Sequence, residues 1–510
     1  MNCPLLHETL VNADSARASR HAILWSGGAC TRAELRATTL RIAARLKRSG
    51  IGGGQRVALC LPKSVESVQA ILGTLAAGAT YVPVDAAAPA AHIRTIVADA
   101  EISLLLTTPA VHDRLLAEGP VDGPIAIVHA SGSGHGWNEW LGDASAEPAP
   151  HVEPDQTAAI LYTSGSTGRP KGVMLSHRNI ASFVQWAIER FQLGREDRFT
   201  SHAPFHFDLS TLDLFASLHV GASVFLLDEK TIRFPAAVAK VLETQRITVW
   251  YSVPTALRLL LDYGGLDRRD LSALRLVLFA GEVFPVPSLG KLMQQVPHPR
   301  YVNLFGPTET NVCTYHALPG PPAEHEAAIP IGVPCEHVQV TLRGEDGRLV
   351  QRGQVGEICV TGPSVLQGYW RQPQQTESVR LAGRPDSYRT GDFGQVLENG
   401  TIRFLGRRDH QVKIRGHRVE LSEIESKLVT HPHVRQAAVV LVMPTSLNAR
   451  LVAFVVSSPG KGLTTEELHE HCSKLLPAYA LPARFVVLDD LPTTSTGKLD
   501  RQRLDQMAEG

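Results

Sequence analysis

Residues 161–172 read LYTSGSTGRPKG, and what this stretch is for decides how the rest of the chain is read. Serines, threonines and glycines crowd the approach to Lys171, a composition that cannot build a core. It suits the holding of an anion: glycines let the backbone come close, and hydroxyls with free N–H groups donate to the anion's oxygens. Lys171 adds a mobile cation. The spacing is not that of the G-x-x-x-x-G-K-[ST] loop, because Lys171 follows Pro170 and precedes Gly172. A plain Ser/Gly turn is the bland alternative, and the length of the pattern weighs against it.

Around this loop the chain alternates strands and helices. From Gln55, QRVALCLPKSVESVQAILGTLAAGATYVPVD gives an apolar run, a helical pattern and a second β-rich run ending at Pro83. Short apolar runs such as Ser223 to Leu227 and Leu276 to Phe279 continue the alternation to about residue 330, which predicts an α/β architecture of mainly parallel sheets. Between Gly353 and Phe404, segments such as VGEICVTG and LENGTIRFLG predict a small, more antiparallel β subdomain. After Arg407 the pattern changes again: helix over 421–430, strands over 436–442 and 451–456, helix over 464–475, strand over 484–488. This predicts a large domain over 1–407 and a mobile α+β domain over 408–510. The Gly/Ser-rich patch from Ala130 to Gly136 reads as an exposed loop.

Composition narrows the function. The 510 residues are 44% apolar and 20% charged, enough for sizeable cores and too ordered a balance for extensive disorder. With 50 basic and 50 acidic residues there is no basic excess of the kind nucleic-acid binding needs. No run approaches the roughly 20 apolar residues of a membrane span, and the amino-terminal stretch lacks the apolar core of a signal peptide. Seven scattered cysteines without C-x-x-C pairs read as thiols in a reducing compartment, so the expected location is the cytoplasm.

LYTSGSTGRPKG resembles the phosphate-binding signature of the adenylate-forming superfamily, which includes acyl-CoA synthetases, luciferase and nonribosomal peptide synthetase adenylation domains. NLFGPTET at 303–310, YRTGDFG at 388–394, GRRDHQVKIRGHRVE at 406–420 and TSTGKLDR at 494–501 keep that family's order. The resemblance implies an acyl-adenylate made from a carboxylate and ATP with release of pyrophosphate, then acyl transfer to a thiol. It implies that Thr163, Ser164, Ser166, Thr167 and Lys171 face the phosphates, where charge builds on the leaving group. By the same resemblance Glu309 holds Mg²⁺, Phe305 stacks on adenine beside Thr308, and Asp392 with Arg407 binds the ribose. Lys498 matches the lysine that reaches carboxylate and α-phosphate during adenylation; Asp409 matches the hinge, and Gly416 the loop brought to the thiol afterwards.

In HAPFHFDLSTLDLF, Asp208 stands where amino-acid-activating members hold the substrate's α-ammonium, a partner that fatty and aryl acids lack. Anchoring on FDLS, SVPT, FAGE and FGPTET adds Leu209, Leu212, Tyr251, Leu278, Ala280, Leu304, Val312 and Cys313, with Lys498 closing the pocket. Such a wall suits a small apolar side chain. The set resembles that of stand-alone L-prolyl ligases from pyrrole-forming pathways, which implies L-proline as substrate, with valine or D-alanine as alternatives. A coenzyme A ligase and a nucleotide-binding regulator without catalysis are the rival classes. No G-G-x-S carrier signature follows Lys498. The expected acceptor is therefore the phosphopantetheine arm of a separate peptidyl carrier protein, and a flavin-dependent dehydrogenase is the expected next enzyme. His202 and His206 lack companions at metal-ligand spacing and read as pocket-edge residues.

Overall fold

The computed structural model describes residues 5–11, 18–121, 123–128, 138–147, 149–165, 170–323, 328–407, 411–414, 416–442, 449–458, 462–492 and 499–509. Ser166, Thr167, Asp409, Lys498 and the 130–136 patch therefore lie outside the described residues.

The strand–helix–strand unit is where the sequence places it. Arg56–Cys60 pairs in parallel with Thr80–Pro83, and helix Val65–Ala76 crosses between them. Ser64 caps that helix in a reciprocal box with Ser67, and every residue of the helix is buried, as expected of an element apolar nearly all round. These strands belong to a seven-stranded sheet whose central strands are parallel; toward one side Thr157–Thr163 pairs antiparallel with Lys171–Ser176, and Gly368–Tyr369 forms the edge beyond it. A second, nine-stranded sheet runs parallel from Arg300–Phe305 through Leu276–Phe279, Val249–Ser252, Arg198–Ser201 and Ser223–Leu226 to His21–Trp25. One large apolar cluster joins the two sheets, including Leu72, Phe183, Phe199 and Tyr251.

The antiparallel subdomain starts earlier than its turn residues suggest: Gln339–Arg343 pairs with Val355–Thr361, followed by Ser387–Val396 and Ile402–Arg407. The carboxy-terminal part holds a two-stranded hairpin, Gln411–Ile414 with His417–Glu420, and a three-stranded sheet of Val434–Val442, Arg450–Ser457 and Arg484–Leu488. Helices Leu421–Val429 and Thr465–Leu475 pack on that sheet. A final helix, Arg501–Glu509, was not anticipated; its buried Leu504 and Ala508 cover the sheet's second face. The architecture is α/β with a large amino-terminal domain and a small carboxy-terminal one, and among the described residues no helix is long and apolar enough to cross a membrane.

Candidate active site

Ligands of parallel sheets gather beyond the carboxyl ends of the strands, and here both large sheets aim those ends at one cleft. Thr163 ends its strand there, Tyr251 and Ala280 stand at or just past two others, and Gly306 to Thr308 follow Phe305. Gly306 makes the last turn possible: a Cβ at that position would lie 1.8 Å from Asn311 O, so no side chain fits where the chain curls back to place Glu309.

Thr163 and Lys171 are register partners across their antiparallel pair, so the phosphate-loop candidate spans two adjacent strand ends. The Thr163 hydroxyl faces the cleft and is buried without a hydrogen-bond partner among the described residues. A buried hydroxyl in that state costs stability unless something else satisfies it. Lys171 is buried beside it, and burial pulls its pKa down while Glu309 opposes that shift. Glu309 is fully buried: Oε1 lies 3.2 Å from Lys171 Nζ and accepts from the Tyr369 hydroxyl at 2.9 Å, and Oε2 accepts from Arg418 at 2.8 Å. Burial alone would raise its pKa, but Arg418 and Lys171 outweigh burial and hold the carboxyl well below the usual range. Asp392 is also buried, 3.0 Å from Arg407 Nη1 across the antiparallel pair they share.

The carboxy-terminal part supplies the other wall. Lys413 and Arg418 stand directly opposite one another across the hairpin, so both project from the same face. Two cations side by side repel, and the cleft offsets this with carboxylates: Arg418 meets Glu309, and Asp392 and Asp208 attract Lys413, whose pKa burial lowers. The Ser164 hydroxyl donates to the Arg418 carbonyl at 2.8 Å, tying the phosphate loop to the hairpin. Neither Lys413 nor Arg418 was singled out from sequence; the alternation of QVKI and HRVE about Gly416 is the signal that could have found them. Tyr369 and Tyr388, hydroxyls 3.2 Å apart behind Glu309, carry no such signal.

Of the acyl-pocket candidates, Asp208, Leu209, Tyr251, Ala280 and Val312 line the cleft. Leu212, Leu278, Leu304 and Cys313 are buried in the core behind that wall and do not line it in this arrangement. Asp208 stands just before a helical run whose Leu212–Ala216 segment is π-helical, and its carbonyl accepts from both the N–H and the hydroxyl of Thr211. Burial pushes its carboxyl pKa up, and the Thr308 hydroxyl and Lys413 pull it back. Burial also drives the Cys313 thiol up to about 12, which leaves it inert. Phe305 is buried with its ring 5.7 Å from that of Phe404 and the same distance from Lys413 Nζ. His206 lines the cleft and His202 the chamber next to it, and no group of metal-ligating side chains stands among the described residues.

Residues 11–370 match the family described as AMP-binding enzyme, and residues 423–498 match its AMP-binding enzyme C-terminal domain. The chain belongs to the AMP-binding enzyme family. Relatives of this AMP-binding enzyme include an L-proline--[L-prolyl-carrier protein] ligase of Streptomyces coelicolor, 40% identical over 93% of this chain and 91% of that one. A second protein of the same name, from Pseudomonas fluorescens, is 37% identical over 99% of this chain and all of the other. Among solved structures, the amide bond synthetase McbA from Marinactinospora thermotolerans covers 99% of each chain with a TM-score of 0.87 at 26% identity.

One titration follows from the wall behind the phosphate loop. Glu423, on helix Leu421–Val429, lines a crevice with Ser164, Pro170 and His92, facing Lys427, Glu420 and the Gly165 N–H. Burial raises its pKa to about 7, Glu420 adds to the shift, and Lys427 and the Gly165 N–H oppose it. A carboxyl raised in the folded state favours folding at low pH and loses that advantage as pH rises from its unfolded value of about 4.5 through about 7. The expected loss is about 3 kcal/mol at most. Melting temperature measured at pH 5 and pH 8 should show a fall that Glu423→Gln largely removes.

Proposed function

We propose that this AMP-binding enzyme activates L-proline to prolyl-AMP, releasing pyrophosphate, and then passes the prolyl group to the phosphopantetheine thiol of a separate carrier protein. The observation that carries this reading is Asp208, a carboxylate that lines the cleft together with Leu209, Tyr251, Ala280 and Val312. An amino acid's ammonium would pair with it, and a small apolar side chain would fill the rest. The names of the two near-full-length relatives support proline and a carrier protein as the reactants.

In this reading Thr163, Ser164, Ser166, Thr167 and Lys171 hold the phosphates, and the unpartnered Thr163 hydroxyl is the feature that supports it. Asp392 with Arg407 takes the ribose, and Phe305 and Thr308 the adenine side. Glu309 would hold the Mg²⁺ that accompanies ATP, and as a hard oxygen ligand it fits that ion, which would neutralise phosphate charge when bound. Lys171 holds Glu309 Oε1 and Arg418 holds Oε2 in this arrangement, so withdrawal of the hairpin would free Oε2 for a metal. The boundary between the two bodies would fall at 407/408, with Asp409 the hinge.

The present arrangement then suits the second half-reaction. Beside the cleft lies a chamber of about 480 Å³, bounded by Lys63, Phe205 and Arg233 and sharing His206, Phe207, Leu209, His417 and Tyr479 with it. Its volume lies within the range of ligand pockets, and it would admit the carrier's arm. His417 stacks on Tyr479 at 3.7 Å between ring centroids and meets Phe207 edge-on, so both domains build the partition between the spaces. A flavin-dependent dehydrogenase would act later, on the prolyl thioester.

The test is ATP–pyrophosphate exchange across the twenty amino acids and D-alanine without any carrier. The expected result is one strong signal with L-proline. Strong exchange with another amino acid would replace the substrate, and silence with all of them would overturn the reading.

A further inference from the structure

The hairpin that reaches the cleft is held at its tip by a residue outside the cleft. Glu282 follows Gly281, whose φ of +93° turns the chain away from strand Leu276–Phe279. Its Oε2 accepts from the Thr255 N–H at 2.9 Å and the Thr255 hydroxyl at 2.7 Å. Thr255 lies in the first turn of helix Pro254–Tyr263, where N–H groups have no intrahelical acceptor and a negative charge is favoured. Its Oε1 is thereby aimed outward and accepts from the Gly416 N–H at 2.6 Å.

The fit around that bond is close. Gly416 has a φ of +81°, and a Cβ there would stand 2.5 Å from Val253 Cγ1; a Cβ on Gly281 would lie 4.0 Å from Gly416 Cα. The hairpin's anchors at Arg418, its guanidinium on Glu309 and its carbonyl under the Ser164 hydroxyl, both engage residues of the proposed nucleotide site. Glu282, which is half-buried, does not line the cleft, and its Thr255 contacts do not depend on the hairpin, so departure of the hairpin would remove only the Oε1 contact. The Gly416 contact therefore favours one arrangement of the two domains over the other.

We propose that Glu282 is a positioning residue for the thiol-transfer half-reaction alone: its carboxylate seats the Gly416 tip, and through it places Lys413 and Arg418 in the cleft. This rests on the two-step reading above.

The experiment compares full-length wild type with Glu282→Gln and Glu282→Ala. Glutamine keeps one oxygen for Thr255 and turns an amide NH₂ toward the Gly416 N–H, so it removes the hairpin contact and leaves the helix cap. Proline-dependent pyrophosphate exchange should stay within about twofold of wild type. Single-turnover transfer from preformed prolyl-AMP to free pantetheine should fall roughly 10- to 100-fold, the range of a lost hydrogen bond to a charged group. Hydrogen–deuterium exchange of peptides over 411–420 gives a readout independent of substrate: protection in the wild type should drop in Glu282→Gln. Wild-type transfer with unchanged protection would overturn the proposal, as would an equal fall in both half-reactions. Absence of proline exchange in the wild type would sink the substrate reading instead, and the exchange of the 411–420 backbone would still decide the role of Glu282.

Discussion

Asp208→Ala should lower kcat/KM for L-proline in pyrophosphate exchange by about 10² to 10³-fold, the cost of leaving a desolvated ammonium without its counter-charge. The other acyl-pocket candidates at the cleft give that ammonium no counter-charge, since Leu209, Ala280 and Val312 are apolar and the Tyr251 hydroxyl is neutral. Burial raises the Asp208 pKa, and an ammonium bound against it would favour the charged form. The Michaelis constant for ATP should change by no more than a few-fold, because the phosphate and ribose candidates belong to other elements of the cleft. A variant that keeps its proline kinetics and loses only ATP affinity would remove Asp208 from the acyl pocket and reopen the coenzyme A ligase reading.

Lys498→Ala should abolish pyrophosphate exchange, a fall of about 10³-fold or more for a cation aimed at developing charge, while transfer from supplied prolyl-AMP keeps most of its rate. Lys498 lies outside the described residues, and support for the split comes from residues that are described. Leu499 and Leu491 pack with Ala438, Phe454 and Leu504 in the carboxy-terminal sheet's second core, and no residue of that cluster lines the cleft. Two cations at the cleft in this arrangement, Lys413 and Arg418, come from the hairpin, and Arg418 pairs with Glu309. In the proposed reading each half-reaction would have its own set of charges, delivered by one domain in two orientations. Loss of both rates to the same degree in Lys498→Ala would refute the reorientation.

Both predictions draw on residues legible before any coordinates. Asp208, Tyr251, Ala280 and Val312 were reached by anchoring on short motifs, and the cleft brings them together. Leu212, Leu278, Leu304 and Cys313 came from the same anchoring but lie behind the wall, because a motif assigns a position along a strand or helix and packing assigns its depth. Lys413 and Arg418 sat inside a quoted motif and were passed over. Their charge says nothing until the hairpin register sets them side by side and faces them with Glu309, Asp392 and Asp208. Glu282 closes the FAGE anchor, but its role could not be read there, since its partner Gly416 is 134 residues away in the chain.

What the chain's own order of residues determined was local: the alternation that makes Arg56–Cys60 and Thr80–Pro83 strands around a buried helix, the loop chemistry between Thr163 and Lys171, and the motif series naming an adenylate-forming architecture. Periodicity, capping and turn chemistry act over a few residues and can be read there. Tertiary structure alone decided which distant segments meet. It set His21–Trp25 beside Ser223–Leu226, closed Glu309 between Lys171 and Arg418, and pinned the hairpin tip to Glu282. Those contacts follow from how two sheets, a hairpin and a second domain share buried surface, and no local stretch of sequence contains that sum.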